Sequence, residues 1–404
     1  MKWEKVKLED VCEITSSKRI FYSEYVDDGV PFYRSKEIIE SDEGKVIENP
    51  LYISVDKYNE IKEKFGVPQT GDMLLTSVGT IGIPYIIKKN DCFYFKDGNL
   101  TWFRDFREGL NSKYLYYWIK SSEGTGILYN TTIGSSQKAL TISALKNIKV
   151  SLPPRSVQDK IVEVVSAYND LIENNQKQIK LLEEAAQRLY KEWFVDLRFP
   201  GHENTKIVDG IPEGWNICPF SSKVDIMSGG TPKTSIPDYY NGRIPFYTPK
   251  DSDGAFFAYK TQMNITEGGL KNCNSRLYPP KTVIITARGT VGKTTILAVP
   301  MAMNQSCYAL KMKENDAPYY LFFALNNEIK ALQTMANGGV FNTIIGKTFD
   351  SINIQIPKDP LIYGFEETVR PFMEQIKNKL QANSKLVEAR DRLLPKLMNG
   401  EVKV

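Results

Sequence analysis

Few residues in this 404-residue chain could perform catalysis. The single histidine, His202, lies in a polar segment with proline and glycine, and no serine or cysteine forms a triad pattern with it. The stretch Asn49–Tyr52 (NPLY) lacks the second proline of an adenine methyltransferase loop, and no glycine-rich cofactor loop precedes it. The Pro237-Asp238 pair has no downstream partners for a metal-dependent nuclease site. The sequence therefore predicts no catalytic and no metal-ligating residues.

One glycine-containing stretch, Ala287–Thr295 (ARGTVGKTT), ends like a phosphate-binding P-loop. Ala287 stands where a P-loop requires its first glycine, and β-branched residues follow Lys293 where a P-loop needs a helix. The matching stretch in the first half of the chain, VGTIG at residues 78–82, contains no lysine. We therefore expect hairpin turns in both halves, with glycines at positive φ.

Side chains suited to contacting DNA gather in loops. Lysine and arginine bind phosphates, while arginine, asparagine and glutamine can read base edges. Any single lysine is better explained as a solvated surface residue. Arg34 and Arg288 lie in sequence stretches that recur in both halves of the chain, and we expect these two arginines to contact DNA. The candidates are Lys18, Arg19, Tyr33, Arg34, Lys36, Ser136, Gln137 and Lys138 in the first half, and Thr231, Lys233, Tyr247, Lys250, Arg288, Lys293, Asn304, Gln305 and Lys347 in the second.

Composition limits the class of protein. Hydrophobic residues make up 42% and charged residues 25% of the chain, which is typical of soluble globular proteins. No apolar run reaches membrane-spanning length and the start is not a signal peptide, so we expect a cytoplasmic protein that does not contact a membrane. The five cysteines show no C-x-x-C spacing and predict neither zinc nor disulfides. The net charge of +4 is too small to indicate DNA binding, so any contacting cations must be clustered.

A long helix must position these loops. The stretch Arg155–Phe194 contains no glycine or proline, and its apolar residues alternate at spacings of four and three, the seam of a coiled coil. At about 1.5 Å per residue this helix would extend roughly 60 Å. The seam comprises Ile161, Val165, Tyr168, Ile172, Asn175, Ile179, Leu182, Ala186, Leu189 and Trp193.

A related helix lies at the other end of the chain. A shift of 204 residues gives seven identities in the eighteen residues from Ile172 to Leu189, which indicates a repeat. Polar residues Lys379, Asn383 and Arg390 interrupt this second seam, and Pro371 predicts that the helix starts or kinks there. We expect the two helices to pair antiparallel. The second seam comprises Phe365, Val369, Phe372, Ile376, Leu386, Leu393 and Leu397.

The globular segments also repeat. VPFYRSKEI (Val30–Ile38) returns as IPFYTPKDS (Ile244–Ser252), and IKVSLPP returns as INIQIPK. We predict an α+β chain of two similar domains in tandem, joined by two long helices that pair as an antiparallel coiled coil with a pseudo-two-fold repeat. The predicted order is a first domain at 1–154, a helix at 155–194, a linker at 195–212, a second domain at 213–357 and a distal helix at 358–404.

Several motifs resemble one family. SGGTPKTS (228–235) followed by DYYNGRIPFYTPKD resembles the opening of a target-recognition domain in the specificity subunit of a type I restriction-modification system. RGTVGK (288–293) resembles the hairpin of that domain, and LPPRSVQDKIVE (152–163) resembles the start of the central helix. LYKEWFVDLRFPG (189–201) and LLPKLMNGEV (393–402) resemble the helix ends. The resemblance covers essentially the whole chain.

The resemblance implies a non-catalytic subunit whose two domains each read one half of a bipartite double-stranded DNA target. It implies two modification (methyltransferase) subunits as partners, with restriction subunits able to join, and S-adenosylmethionine as a cofactor of the modification subunits and not of this chain. The helical pair would set the spacing of the half-sites. The alternative is a scaffold or protein-interaction module with two repeated domains on a coiled coil. An independent nuclease or methyltransferase conflicts with the missing motifs.

Overall fold

The computed structural model describes residues 3–134, 138–335 and 343–404, with the backbone alone for 330–335. Contacts divide the chain into two units. The first unit contains the residues up to Leu171 together with Leu386–Val404, and the second unit is Ile172–Lys385. Each unit contains a mixed α+β domain and part of both long helices.

The first unit begins with short strands and helices. They are β1 (Glu4–Lys7), β2 (Glu13–Thr15), β3 (Tyr25–Val26), β4 (Val30–Tyr33), α1 (Ser35–Asp42), β5 (Leu51–Ile53), α2 (Val55–Lys64), β6 (Met73–Thr76), β7 (Pro84–Ile86), β8 (Tyr94–Phe95), β9 (Leu100–Arg104), α3 (Ser112–Lys120), α4 (Ser122–Thr131), α5 (Ile142–Lys146) and β10 (Lys149–Leu152). The sequence run VPFYRSKEI forms a strand only as far as Tyr33 and then becomes α1.

Three sheets organise the first unit. The strands β2-β9-β6-β7 form one four-stranded sheet and β3-β5-β4-β8 form another, while β1 pairs with β10. In the second of these sheets β4 and β8 run parallel, with Phe32 opposite Tyr94. Every residue of β6 is buried, because the sheet is covered on both faces.

The long helix α6 (Arg155–Tyr190) follows and ends in one π-helical turn, Lys191–Val195. The next elements are β11 (Ile207–Val208), β12 (Ile211–Pro212), β13 (Asn216–Pro219), α7 (Phe220–Lys223), β14 (Val224–Ser228), β15 (Tyr240–Tyr247), β16 (Phe257–Ala258), β17 (Asn264–Ile265), α8 (Glu267–Lys271), β18 (Val283–Thr286), β19 (Thr294–Leu297), β20 (Ala302–Met303), β21 (Cys307–Met312), α9 (Pro318–Met335), α10 (Gly346–Ser351), β22 (Asn353–Ile356) and α11 (Asp359–Met398).

The second unit repeats the topology of the first. The sheet β14-β21-β18-β19 has the same order as β2-β9-β6-β7, with β16 added at its edge. In the sheet β17-β15-β20 the strands β15 and β20 run parallel, with Phe246 opposite Ala302, as β4 and β8 do. The outer strands β13 and β22 pair like β1 and β10. The tandem repeat predicted from the sequence is therefore confirmed.

The aromatic helices α3 and α9 lie in the core, as their helical spacing indicates. Tyr114 and Trp118 of α3 are at most 1% exposed and belong to the cluster around Met73 and Phe103. In α9 the whole run Tyr319–Leu325 is buried. Their rings fill the interior of each unit and are not available for stacking on bases.

Both glycine-containing stretches form hairpins. β6 pairs antiparallel with β7 and β18 pairs antiparallel with β19. Gly79 and Gly82 in the first hairpin, and Gly289 and Gly292 in the second, have φ between 80° and 86°, a region that favours glycine. A strand follows Lys293 where a P-loop would have a helix. The P-loop interpretation is excluded.

The two long helices pack through their predicted seams. Ile161 and Val165 of α6 are in the same core cluster as Leu397 of α11 in the first unit. In the second unit Ile179 of α6 and Ile376 of α11 share a cluster. The remaining predicted seam residues are buried or half-buried, namely Tyr168, Ile172, Asn175, Leu182, Ala186, Leu189, Trp193, Phe365, Val369, Phe372, Leu386 and Leu393.

Two of the three polar residues that interrupt the second seam, Asn383 and Arg390, are paired across it. In the second unit the Asn175 side-chain amide donates a hydrogen bond to Asn383 at 2.9 Å. In the first unit the Arg390 guanidinium donates to the side-chain oxygen of Asn169 at 2.8 Å. In the second unit Trp193, in the π-helical turn that ends α6, also packs against Phe365 of α11, with ring centres 5.9 Å apart. Higher numbers on one helix therefore meet lower numbers on the other, and the helices run antiparallel in that unit.

Pro371 does not start the second helix. The helix α11 begins at Asp359 and passes through Pro371 without a break. Pro371 is exposed, so its ring lies away from the seam. The prediction that the helix starts at this proline is wrong.

Candidate nucleic-acid interface

Main-chain hydrogen bonds bring the candidate loops of the first unit together. The N–H of Ser77, at the end of β6, donates to the carbonyl of Asn99 at 2.8 Å, and the N–H of Leu140 donates to Ser77 at 2.9 Å. The N–H of Lys96 donates to the carbonyl of Tyr33 at 2.9 Å. One framework therefore holds the hairpin 77–83, the turn 96–99 and the end of β4.

The second unit has the same framework. The N–H of Ala287 donates to the carbonyl of Ser306 at 2.7 Å, and the N–H of Ile344 donates to Ala287 at 2.9 Å. The N–H of Asn304 donates to the carbonyl of Tyr247 at 3.0 Å. These three bonds match those of the first unit one for one, so the repeat extends to the geometry that supports the candidate loops.

The framework agrees with the sequence alignment of the two halves on where Arg34 and Arg288 lie in the repeat. The N–H of Arg34 donates to Glu37 at 2.8 Å, as the N–H of Thr248 donates to Asp251 at 2.8 Å. Arg34 therefore corresponds to Thr248. Arg288 follows Ala287 and so corresponds to Val78, the residue after Ser77. The two arginines occupy different places on the repeated scaffold.

Arg34 is held by a buried carboxylate. Its guanidinium contacts Glu37 at 2.6 Å, and Glu37 is 3% exposed. Burial alone would raise the pKa of Glu37, but hydrogen bonds from the Arg34 side chain and from backbone N–H groups outweigh it and hold the pKa below its ordinary value. The Arg34 side chain remains part-exposed. One side of the guanidinium is therefore held in the ion pair with Glu37, while the rest of it stays accessible from solvent.

The other cations of the first unit are exposed and loosely held. Arg19 pairs with Asp97 at 2.8 Å, and Lys36 pairs with Glu40 at 3.7 Å. Lys18 lies 5.0 Å from the centre of the Phe65 ring, and Lys138 lies 3.7 Å from that of Tyr129. Such contacts are weak enough for a phosphate to replace them. Ser136 and Gln137 lie outside the described residues.

The two predicted tyrosines do not serve as DNA contacts in the same way. Tyr33 is half-buried and stacks on Phe93 with ring centres 4.3 Å apart. Tyr247 is 1% exposed and lies in a hydrophobic cluster with Tyr278. Because its ring is enclosed, the prediction that Tyr247 touches DNA is wrong, and its role is to support the turn after β15.

In the second unit the structure joins several candidate polar residues. The Thr231 hydroxyl donates to the side-chain oxygen of Gln305, and the Asn304 side-chain oxygen accepts from the N–H of Ser306 at 3.0 Å. The Thr290 hydroxyl of the hairpin donates to the carbonyl of Pro249 at 3.2 Å, which places Lys250 beside the hairpin. These loops form one polar surface.

Five cations on or next to this surface are exposed. Among the residues that the structure describes, none of their side chains has an ion pair or a hydrogen bond. They are Lys233, Lys250, Arg288, Lys293 and Lys347. Cations without a partner can bind phosphates, and the side-chain amides beside them can donate hydrogen bonds to base edges and accept hydrogen bonds from them. This surface therefore suits a nucleic acid.

The turns of the framework contain further polar residues that were not predicted from the sequence. A shallow groove in the first unit is lined by α1 and the hairpin, and it includes Lys45, Thr80 and Asn99. Thr80 corresponds to Thr290 of the second unit. The shared Gly-Thr-x-Gly sequence could have identified both threonines, whereas only the fold brings Lys45 to this groove.

The described residues show neither a catalytic nor a metal-binding arrangement. In those ranges no group of three or more His, Cys, Asp or Glu side chains could hold a metal ion. Burial raises the pKa of the Cys12 and Cys307 thiols to about 12, which makes them poor nucleophiles. Nor does any helix in the part of the chain that the structure describes have the length and apolarity to cross a membrane.

Comparison with known proteins gives a consistent answer. The chain is 28% identical over its full length to the specificity subunit of the type I restriction enzyme MjaIX of Methanocaldococcus jannaschii, covering 94% of that protein. Over 65% of the chain it is 24% identical to the HindI specificity subunit of Haemophilus influenzae, covering 71% of it. The fold resembles the crystal structure of a type I restriction-modification S subunit from M. genitalium, with a TM-score of 0.62, 16% identity and coverage of 98% of this chain and 96% of that one.

The model of the type I restriction modification DNA specificity domain matches residues 1–184 and again residues 212–381. These two matches contain both candidate surfaces. With most of its length matched, the chain belongs to the family of type I restriction-modification DNA specificity proteins.

Proposed function

We propose that this chain is the DNA-recognition subunit of a type I restriction-modification complex, in which each unit reads one half of a bipartite target. The observation that carries the proposal is the repeated framework of three main-chain hydrogen bonds. It presents Arg34, Lys36 and Thr80 in one unit, and Thr248, Lys250 and Arg288 in the other. The same scaffold with different side chains favours two different half-sites.

We extend the proposal to the partners. Two modification subunits would flank the long helices, flip an adenine out of each half-site and use S-adenosylmethionine, and restriction subunits could join them. The chain itself would contribute recognition and no catalysis, in the cytoplasm. The exposed faces of α6 and α11 support this, because they leave surface for docking outside the paired seam.

The long helices would act as a spacer. α6 has 36 residues and α11 has 40, and a continuous helix resists stretching. Two recognition surfaces attached to one rigid element bind as a bivalent unit with a preferred separation between half-sites. The gap between the half-sites would therefore be fixed in length and unspecified in sequence.

Methylome sequencing tests the proposal directly. A methylation-free bacterial host would express this chain together with the modification subunit encoded beside it. We expect methylated adenine in both halves of one two-part motif. A soluble complex that produces no new methylation would contradict the proposal and favour the scaffold alternative.

Direct binding separates the same two alternatives. The purified complex should bind a duplex that carries the motif, and the affinity should fall steeply as salt increases, because cations release condensed counterions from the phosphates. A duplex with one half-site scrambled is the matched control. Equal binding to both duplexes would count against sequence reading.

A further inference from the structure

An aromatic tip projects from the loop between β2 and β3. Tyr22 is 90% exposed and the adjacent Phe21 is 62% exposed. Single exposed apolar residues are common, but two neighbouring exposed rings indicate a surface that meets a partner. We infer that Phe21 and Tyr22 stack on base pairs of the first half-site and wedge one base step partly open. This inference rests on the proposed function and adds a mode of reading to it.

Hydrogen bonds and an ion pair hold the backbone of the tip. Tyr22 begins a 3₁₀ turn, Tyr22–Glu24, in which the N–H of Phe21 donates to the Glu24 carboxylate at 2.8 Å and the N–H of Glu24 donates to the Phe21 carbonyl at 3.0 Å. Lys57 of α2 anchors the same carboxylate at 2.9 Å. Since the backbone is fixed, the rings lose little conformational freedom on binding.

The loop that carries the tip also carries two cations, one of which lies over a further ring. Lys18 is exposed and lies over the Phe65 ring, which is itself 48% exposed. The side chain of Arg19 is 67% exposed although it pairs with Asp97. Exposed rings interleaved with cations are typical of surfaces that bind nucleic acids, because the cations hold phosphates while the rings stack on bases.

The tip is continuous with the candidate interface of the first unit. The N–H of Lys18 donates to the Tyr94 hydroxyl at 2.7 Å, and Arg19 contacts Asp97. The segment 94–99 thus holds the tip loop on one side, and through Lys96 it is bonded to the end of β4. A duplex seated on the interface would therefore meet the tip.

The corresponding loop of the second unit, all of which the structure describes, has no such tip. This loop, residues 229–239 between β14 and β15, exposes Thr231 and Lys233, and none of its described residues is an exposed large hydrophobic side chain. The two half-sites would then be read differently. The first would include a contribution from how easily its DNA unstacks, which is greatest at pyrimidine–purine steps, and the second would not.

The test uses the complete methyltransferase complex and a duplex with the motif found by methylome sequencing. 2-Aminopurine replaces each adenine of the first half-site in turn, on either strand, except the adenine that the modification subunits would flip, and in separate duplexes it replaces the corresponding adenines of the second half-site. We expect fluorescence to rise on binding at one step of the first half-site. The Phe21→Ala/Tyr22→Ala variant should abolish that rise and weaken binding by roughly 5- to 150-fold, the range for loss of a stacked base.

Controls separate the possible failures. Tyr22→Phe keeps the ring and should retain both the fluorescence rise and the affinity, which tests stacking against hydrogen bonding by the hydroxyl. Probes in the second half-site should not respond to any of these variants. If the wild-type complex bound no motif at all, the proposed function itself would fail.

Two results would overturn the inference alone. The first is motif binding by the wild type with no unstacked step, or with a rise that survives in the double alanine variant. The second is a double variant that binds DNA normally but no longer assembles with the modification subunits, because the tip would then be a protein contact.

Discussion

Arg288 is exposed, and its side chain has no partner among the described residues. Replacing it by alanine should weaken or relax the reading of the second half-site by about 1–3 kcal/mol, the contribution of a bidentate contact to a base. Competition binding with duplexes substituted one position at a time measures this effect.

Lys311→Ala is the matched control for Arg288. Lys311 is an exposed cation of the same unit, near the opposite end of β21 from the hairpin framework. We expect this control to leave the base preferences unchanged. A loss confined to the first half-site in Arg288→Ala, or no loss, would remove Arg288 from the interface.

Glu366 predicts a pH dependence of stability. It is 3% exposed and accepts the N–H groups of Tyr319 and Tyr320 at the start of α9, both at 2.8 Å. Burial raises its pKa from 4.5 to about 7, against the lowering effect of these hydrogen bonds. The folded state therefore binds the proton more tightly than the unfolded state does.

The direction of the pH dependence follows from this difference in proton affinity. The stabilisation from Glu366 is complete below pH 4.5 and is lost as the pH rises to about 7. Glu366→Gln keeps the acceptor oxygen and should flatten this dependence and stabilise the chain at pH 8. Denaturant unfolding at several pH values measures it, with the exposed neighbour substituted as Glu367→Gln for comparison. An unchanged slope in Glu366→Gln would contradict the prediction.

At the scale of elements, the polar pair Asn175–Asn383 sets the register of the two helices in the second unit. Asn383→Leu should lower stability by about 1–3 kcal/mol, because it leaves the Asn175 amide half-buried without its acceptor. The double variant Asn175→Leu/Asn383→Leu should recover that loss, since an apolar seam packs without unpaired groups. Denaturant unfolding of the three proteins checks the order, and a single variant as stable as the wild type would argue against a register role.

At the scale of the whole molecule, the spacer can be lengthened. One heptad inserted in α6 after Leu171 and another in α11 after Lys385 would keep the seam pattern and add roughly 10 Å of helix. We expect both half-sites to stay the same and the gap to lengthen by about three base pairs. Methylome sequencing reads the result.

The control for this experiment is the heptad in α6 alone. It shifts Asn175 away from Asn383, so we expect a lower melting temperature and little methylation. If the paired insertion changed a half-site and left the gap alone, the helices would not be the spacer.

Prediction from sequence succeeded where the signal was local. The hairpins followed from glycines followed by β-branched residues, and the buried faces of the long helices followed from apolar residues at spacings of four and three. The prediction that Tyr247 contacts DNA was wrong. Its neighbours Pro249 and Lys250 suggested that it lies in a surface loop. Whether a ring in such a loop points outward depends on which distant residues cover it, and here Tyr278 and Met303 are in the cluster that does so.

By itself, the sequence determined the repeated order of domains and helices, the apolar seams and the absence of catalytic motifs, because these are periodic or contiguous patterns. Only the tertiary structure decided that Glu37 holds Arg34, that the Tyr247 ring is enclosed, and that the seam residues Asn383 and Arg390 are paired. The reason is physical. Burial, hydrogen bonding and ion pairing depend on residues that lie far apart in the chain and meet only after it folds.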